Sequence, residues 1–145
     1  MEVVRELLEG GAAVDAAEAH GVTPLFIASK RCHLEVVREL LAQGAAVDAA
    51  MNSGDTPLFV ASQLGHLAVV RELVAWGAAV DAAEAHGVTP LLIASERGHL
   101  EVVRELLARG ALPRVATASG ATALSMATAN GYAAVVLLLR AALGI

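Results

Sequence analysis

Apolar residues recur at helical spacing in two kinds of segment along the chain. The clearest stripe is formed by Val36, Val37, Leu40 and Leu41. Arg38 and Glu39 fall outside that stripe, so the segment is predicted to form an amphipathic helix. In the shorter apolar segment before it, Thr23 is placed to cap a helix and Pro24 suits the first helical position. The pattern therefore predicts a first helix over about residues 24–31 and a second, amphipathic helix after it.

This two-helix pattern returns at a fixed interval of 33 residues. GVTPLFIAS at 21–29 reappears as GDTPLFVAS at 54–62 and GVTPLLIAS at 87–95, with a more divergent GATALSMAT at 120–128. The chain is predicted to be a single domain over residues 1–145, divided into a partial repeat 1–17, repeats 18–50, 51–83 and 84–116, and a C-terminal repeat 117–145. Since two helices and a turn cannot enclose a core alone, the units must stack on their neighbours.

Glycines mark the predicted helix ends. The first helix of a repeat is followed by Gly65, Gly98 or Gly131, and the second by Gly44, Gly77 or Gly110. Glycine adopts the left-handed conformation of such ends without a Cβ penalty. Cys32 occupies the first of these sites in its repeat, where we expect local strain or a shifted cap.

The segments TPLF, GHL, EVVRELL and GAAVDAA in a 33-residue frame resemble the ankyrin repeat. The resemblance implies an all-α solenoid of about four and a half stacked helix-turn-helix units, linked by β-hairpin-like turns. The histidine of the family's TPLH segment is replaced by Phe26, Phe59, Leu92 and Ser125. We expect apolar packing to substitute for it in the first three. The Asn of the family's hairpin is replaced by Asp15, Asp48 and Asp81, which leaves its hydrogen bonds open.

Composition narrows the classes of partner. The net charge is -5 and neither Lys nor Arg forms a run, so neither nucleic acid nor an anionic membrane is expected. Only 3% of residues are aromatic, and the core must consist mostly of Ala, Val, Leu and Ile. The single cysteine excludes an internal disulfide, and no secretory signal opens the sequence. The cytoplasm or another reducing intracellular compartment is therefore expected.

The polar residues that repeat are interpreted as structural, so no catalytic, cofactor or metal site is expected. One repeat position holds the histidines His33, His66 and His99. Stacked helices lie roughly 10 Å apart, too far for neighbouring copies to share an ion, and hydrogen bonding near the second helix is expected instead. Ser29, Ser62 and Ser95 recur on the first helix and indicate packing. Glu35 and Arg38 are spaced for an ion pair at i, i+3.

The resemblance implies a non-catalytic protein-protein interaction module whose concave groove holds a protein or peptide. Candidate binding residues are those that differ between copies at the turns and helix ends. They are His20, Val22, Lys30, Arg31, Asn52, Ser53, Asp55, Gln63, Leu64, Trp76, His86, Val88, Glu96, Arg97 and Arg109. Trp76 is the only tryptophan and is a candidate anchor, with packing over the next repeat as the alternative.

Both ends of the chain suggest missing neighbours. Residues 1–17 match the second half of a repeat, so Val3, Val4 and Leu7 would be uncovered, and a fragment of a longer array is expected. At the other end Leu137 and Leu138 replace Arg and Glu, which raises the hypothesis of end-to-end self-association. The alternative function is a structural or engineered ankyrin scaffold with no native ligand, although Cys32 in a framework position favours a natural origin.

Overall fold

The computed structural model describes residues 14–145 as stacked pairs of antiparallel helices. The first helices of the pairs are α1 (Pro24–Lys30), α3 (Pro57–Leu64), α5 (Pro90–Arg97) and α7 (Ala123–Ala129). The second helices are α2 (Leu34–Ala42), α4 (Leu67–Ala75), α6 (Leu100–Ala108) and α8 (Ala133–Leu143). First helices pack on first helices and second helices on second helices, which confirms the all-helical solenoid. The N-terminal positions Val3, Val4 and Leu7, where an uncovered face was predicted, lie outside the described residues.

The first helices begin at threonine caps, as the sequence predicts. The hydroxyl oxygens of Thr23, Thr56 and Thr89 accept hydrogen bonds from backbone N–H groups three residues later, at 3.2, 3.0 and 3.2 Å. Each is followed by proline at the first helical position. In the last repeat, where proline is absent, Thr122 and Ser125 form a reciprocal capping box instead.

The ends of α1 and α3 show the effect of replacing glycine. Gly65 ends α3 in the left-handed conformation at φ 75°. Cys32 has the strained φ of 58° at the corresponding place after α1, and the cap of α1 is shifted one residue earlier, to Arg31, so both alternatives expected there occur together. A Cβ at Gly65 would lie 2.6 Å from Nδ1 of His99, so glycine is required there by space as well as by conformation.

A turn closed by main-chain hydrogen bonds precedes each first helix. In the turn over residues 51–55, the Met51 N–H donates to the Asp55 carbonyl at 2.9 Å and the Gly54 N–H to the Met51 carbonyl at 2.8 Å. Equivalent pairs of bonds close the turns at 18–22, 84–88 and 117–121. Within residues 14–145 the extended pairing is limited to one isolated bridge, between Ala116 and Thr122. We call residues 18–22, 51–55, 84–88 and 117–121 the turn tips.

The aspartates that replace the family's Asn form hydrogen bonds between successive repeats. Carboxylates of Asp15, Asp48 and Asp81 accept from the backbone N–H groups of Ala46, Ala79 and Leu112 at 3.0–3.1 Å. Each bond spans 31 residues. The aspartate of one repeat therefore binds the backbone that begins the corresponding aspartate-containing segment of the next repeat.

The core is a continuous column of aliphatic side chains between the helix layers. Leu25, Leu58 and Leu91 stack along it with at most 1% of their surface exposed. The residues that replace the family histidine, Phe26, Phe59 and Leu92, are all buried, which confirms the apolar substitution. Leu40 is also buried, as its stripe predicts. Among residues 14–145 no helix is both long and apolar enough for a membrane span.

Candidate partner-binding surface

The ends of the first helices and the turn tips bring several predicted binding residues to one cavity. This cavity of about 340 Å³ lies between repeats 18–50 and 51–83. We call it the inter-repeat cavity, and it is lined by Val22, Phe26, Ile27, Lys30, Arg31, Met51, Asp55, Val60 and Gln63. Val22, Lys30, Arg31, Asp55 and Gln63 belong to the predicted set. Phe26, Ile27 and Val60 were missed, because comparing copies selects positions that differ and these positions stay apolar in repeats 18–50, 51–83 and 84–116. Met51 was missed although its position does vary, with Glu18 and Glu84 as its counterparts.

The turn tips are joined to one another by main-chain hydrogen bonds. The Asn52 N–H donates to the His20 carbonyl at 2.8 Å, and the Ala85 N–H donates to the Ser53 carbonyl at 2.9 Å. A longer bond of 3.4 Å joins Ala118 to His86. The side chains of His20, Asn52 and Ser53 are consequently exposed on a backbone fixed by its neighbours.

Two carboxylates in the turn tips have shifted pKa values of opposite direction. Burial raises the pKa of Asp55, with a further increase from Glu84 that outweighs the hydrogen bond to Ser53. Burial also opposes ionisation of Glu84, but hydrogen bonds from Val88 and His86 overcome it and lower the pKa of Glu84. The ionised Glu84 therefore stabilises its own turn by accepting hydrogen bonds from His86 and Val88.

Trp76 and Arg109 directly follow the second helices α4 and α6, and neither lines the inter-repeat cavity. Trp76 Nε1 donates to Glu72 at 3.2 Å and Arg109 Nε to Glu105 at 2.9 Å. The same two glutamates accept from arginines of the preceding repeats, namely Arg38 to Glu72 at 3.2 Å and Arg71 to Glu105 at 2.9 Å. We call this row of residues the outer ladder. Trp76 nevertheless keeps 49% of its surface exposed.

Charged side chains of the first helices are not paired in this way. Within the described part of the chain, no hydrogen bond or ion pair involves the side chains of Lys30, Arg31 or Arg97. Glu96 is half-buried beside Arg97, and Leu64 is exposed at the end of α3. Lys30, Arg31 and Arg97 thus have no charged partner within residues 14–145, whereas the arginines of the outer ladder are paired with glutamates.

A family model described as ankyrin repeats (3 copies) matches residues 1–84 and 79–145. The chain belongs to the ankyrin-repeat family. Ankyrin repeats are generally protein-protein interaction modules and are typically non-catalytic. A search of curated proteins found no match to the sequence.

The repeated polar residues of this ankyrin domain take structural positions. Nε2 of His66 lies 3.0 Å from the Lys30 carbonyl, and Nε2 of His99 lies 2.8 Å from the Gln63 carbonyl, so these imidazoles link a second helix to the preceding first helix. Arg38 pairs with Glu35 as predicted, at 2.6 Å. Residues 14–145 contain no group of three or more His, Cys, Asp or Glu residues that could hold a metal ion.

The serines on the ankyrin first helices are fully buried. Ser29, Ser62 and Ser95 have no exposed surface, and in the part of the chain that the structure describes their Oγ atoms have no hydrogen-bond partner. A buried hydroxyl without a partner destabilises the folded state by about 1–3 kcal/mol. Their burial between helices agrees with the packing interpretation.

Proposed function

We propose that this ankyrin domain is a non-catalytic module that binds a protein or peptide on a concave surface formed by its first helices and turn tips. The observation that carries the proposal is the contrast in charge pairing. Lys30, Arg31 and Arg97 have no side-chain partner in residues 14–145, whereas the arginines of the outer ladder are paired with glutamates. Unpaired charges beside an apolar cavity favour specific recognition of a partner.

The stacked repeats support binding through a rigid surface. Main-chain hydrogen bonds join the turn tips, and the aspartate bonds across 31 residues join the bases of the turns. Side chains on such a framework lose little conformational freedom when a partner docks. The recurrent histidines His66 and His99 bond to backbone carbonyls, and the recurrent serines are buried between helices. These structural positions support a binding role over a catalytic one.

The test is affinity capture of partners with the purified chain and two variants. Arg97→Ala removes an unpaired cation from the first-helix surface, and Trp76→Ala removes the exposed ring from the outer ladder. We expect the captured protein to be lost with Arg97→Ala and retained with Trp76→Ala, as identified by mass spectrometry. The reverse result would move the binding surface to the second helices. Equal capture by both variants would remove both residues from the site.

The alternative is a structural or engineered scaffold without a native ligand. It predicts that no protein is captured above the level of a control resin by a correctly folded chain. We further propose a reducing intracellular compartment, supported by the free, exposed thiol of Cys32.

Self-association through the last repeat is a second proposal, supported by exposed apolar side chains there. Leu137 and Ile145 have 69% and 68% of their surface exposed. In sedimentation experiments, self-association makes the measured mass increase with protein concentration. Leu137→Arg, which introduces the residue type found at positions 38, 71 and 104, should make this increase smaller. Ala68→Arg adds the same charge to an exposed site of α4 and should leave that mass unchanged. A monomer mass that is independent of concentration in the parent chain would contradict this proposal.

A further inference from the structure

The inter-repeat cavity combines an apolar lining with charged side chains of both signs. Val60 and Phe26 line it with nearly buried side chains, while Ile27, Val22 and Met51 are half-buried around it. Lys30 and Arg31 follow each other at the end of α1 and line the same cavity. Its volume of about 340 Å³ lies within the range of about 300–1,000 Å³ for ligand pockets.

The two cations that line the cavity come from adjacent positions at the end of α1. Lys30 is the last residue of α1 and Arg31 is its C-cap, so both side chains are exposed beside one helix end. No carboxylate of residues 14–145 lies within ion-pair distance of either. Elsewhere in this protein, exposed arginines with a glutamate one helix turn away pair with it, as Arg104 does with Glu101 at 2.8 Å. A carboxylate supplied by a partner would complete the same arrangement at Lys30 and Arg31.

We propose that the partner is a peptide segment in which an acidic side chain stands next to a branched aliphatic side chain. The carboxylate pairs with Lys30 and Arg31, and the aliphatic group enters the inter-repeat cavity against Ile27 and Val60. Asp55, from the turn tip of the following repeat, accepts a hydrogen bond from an N–H or hydroxyl of the same segment. This inference rests on the proposed function and specifies the chemistry of its partner.

The charge distribution favours a peptide over nucleic acid or lipid. Asp55 lies in the same cavity as the two cations, so a chain of phosphates passing through it would meet a negative charge. The net charge of the whole chain is -5, which repels polyanions at longer range. A single carboxylate flanked by an apolar group carries one negative charge in place of a chain of them, so both repulsions are smaller for it.

The test begins with a phage-displayed library of random short peptides panned on the immobilised full chain. We expect the enriched peptides to carry Asp or Glu next to Val, Leu or Ile. The most enriched peptide and its version with Gln in place of the acid are then compared by fluorescence anisotropy. Loss of the charge should weaken binding about five- to tenfold, since two partly exposed ion pairs are lost. The difference between the two peptides should shrink as salt is added.

The double variant Lys30→Gln with Arg31→Gln should bind the acidic peptide and the Gln peptide equally well. Its matched control is Arg104→Gln with Arg140→Gln, which removes the same charge from exposed sites on second helices and should keep the discrimination. Circular dichroism and urea midpoints establish that both variants are folded, and Lys30→Arg with Arg31→Lys should restore the parent behaviour.

Four results would count against the inference. Discrimination that persists in the Lys30 and Arg31 variant would place the acid elsewhere, and discrimination lost equally in the control would make it a general charge effect. Enriched peptides without an acidic preference would overturn the inference while the proposed function stands. No enrichment above uncoated resin would count against both.

Discussion

Repeats 84–116 and 117–145 contain the same pair of helices but bury different parts of them. Ser95 has no exposed surface, whereas Thr128 at the same position of the last repeat is exposed and donates to the Leu124 carbonyl at 2.7 Å. Leu92 is buried and its counterpart Ser125 is exposed. Polar groups thus stand at these two positions of the last repeat, where no described repeat packs against the helix.

Repeat 18–50 shows how neighbouring repeats affect the burial of a residue when the residue itself is unchanged. Ile27 and Ile93 are the same residue at the same position, yet the first is half-buried and the second has 6% of its surface exposed. Pro24 and Pro90 differ in the same direction. The adjacent repeat determines how much of a helix is buried, as expected for stability made of nearest-neighbour terms. We call 51–83 and 84–116, which have a described repeat on each side, the interior repeats. We call 18–50 and 117–145, the first and last repeats that the structure describes with both helices, the end repeats.

The largest expected effect tests whether the interior repeats determine the stability of the array. Leu106 in α6 and Leu139 in α8 occupy the same position and both have no exposed surface. Leu106→Ala should lower the free energy of unfolding by about 2–5 kcal/mol, because it leaves a cavity that neighbours on both sides cannot fill. Leu139→Ala should instead produce an early, separate loss of the last repeat. Urea unfolding followed by circular dichroism distinguishes them, and equal single transitions would contradict the comparison.

A smaller effect of opposite sign is expected at the buried serines. Ser95→Ala removes a hydroxyl without a hydrogen-bond partner and introduces a better helix former, so it should stabilise the protein by about 1 kcal/mol. Thr128→Ala, at the exposed counterpart, removes a satisfied hydroxyl and should change the free energy of unfolding little. Denaturant midpoints measure both. Destabilisation by Ser95→Ala would show that the hydroxyl has a partner in solution.

Cys32→Gly gives an end repeat the glycine that the interior repeats have at this position, Gly65 and Gly98. The left-handed conformation at φ 58° costs a side-chain-bearing residue about 1–2 kcal/mol, and glycine loses about 0.5–1 kcal/mol of chain entropy on folding. The variant should therefore be more stable by about 0.5–1 kcal/mol. Gly65→Ala is the reciprocal change and should destabilise, because its Cβ would collide with His99. A thermal melt of each variant checks the two signs.

The smallest effect concerns the outer ladder and depends on pH. Hydrogen bonds from Arg71 and Arg109 lower the pKa of Glu105. The ionised group therefore adds stability above its unfolded pKa, and this stability is lost as pH falls through the folded pKa. Glu105→Gln should be slightly less stable at neutral pH, since the arginines are about half exposed and solvent screens the pairs. The difference should disappear in acid, and a constant difference across pH would exclude the ion pairs as its source.

Local chemistry made much of the fold predictable. Thr23 and Pro24 identify the start of α1, and Gly65 the end of α3, because caps and left-handed residues act within one turn of helix. The burial of Phe26 also followed from its place in the repeat. These features need no knowledge of how repeats are rotated against one another.

Contacts between repeats could not be predicted from one unit. The pairing of Arg38 with Glu35 was predictable from spacing, but the bond to Glu72 depends on the rotation between successive second helices. For the same reason the sequence did not predict that Glu72 would accept from both Trp76 and Arg38 of the preceding repeat. The cavity lined by Lys30 and Asp55 likewise arises only when two repeats are stacked, and the binding roles of the selected residues stay predictions.

The main-chain bonds between turn tips have a consequence for how such an array can diversify. The Asn52 N–H and the His20 carbonyl, like the Ala85 N–H and the Ser53 carbonyl, belong to atoms that nearly every amino acid possesses. A mutation at position 53 can therefore change the side chain on the proposed binding surface while the junction between units stays intact. Position 20 tolerates fewer residues, because His20 has a left-handed φ of 66°. If the turn tips bind partners as proposed, duplicated copies can change ligand preference at one tip while the main-chain bonds between repeats are kept.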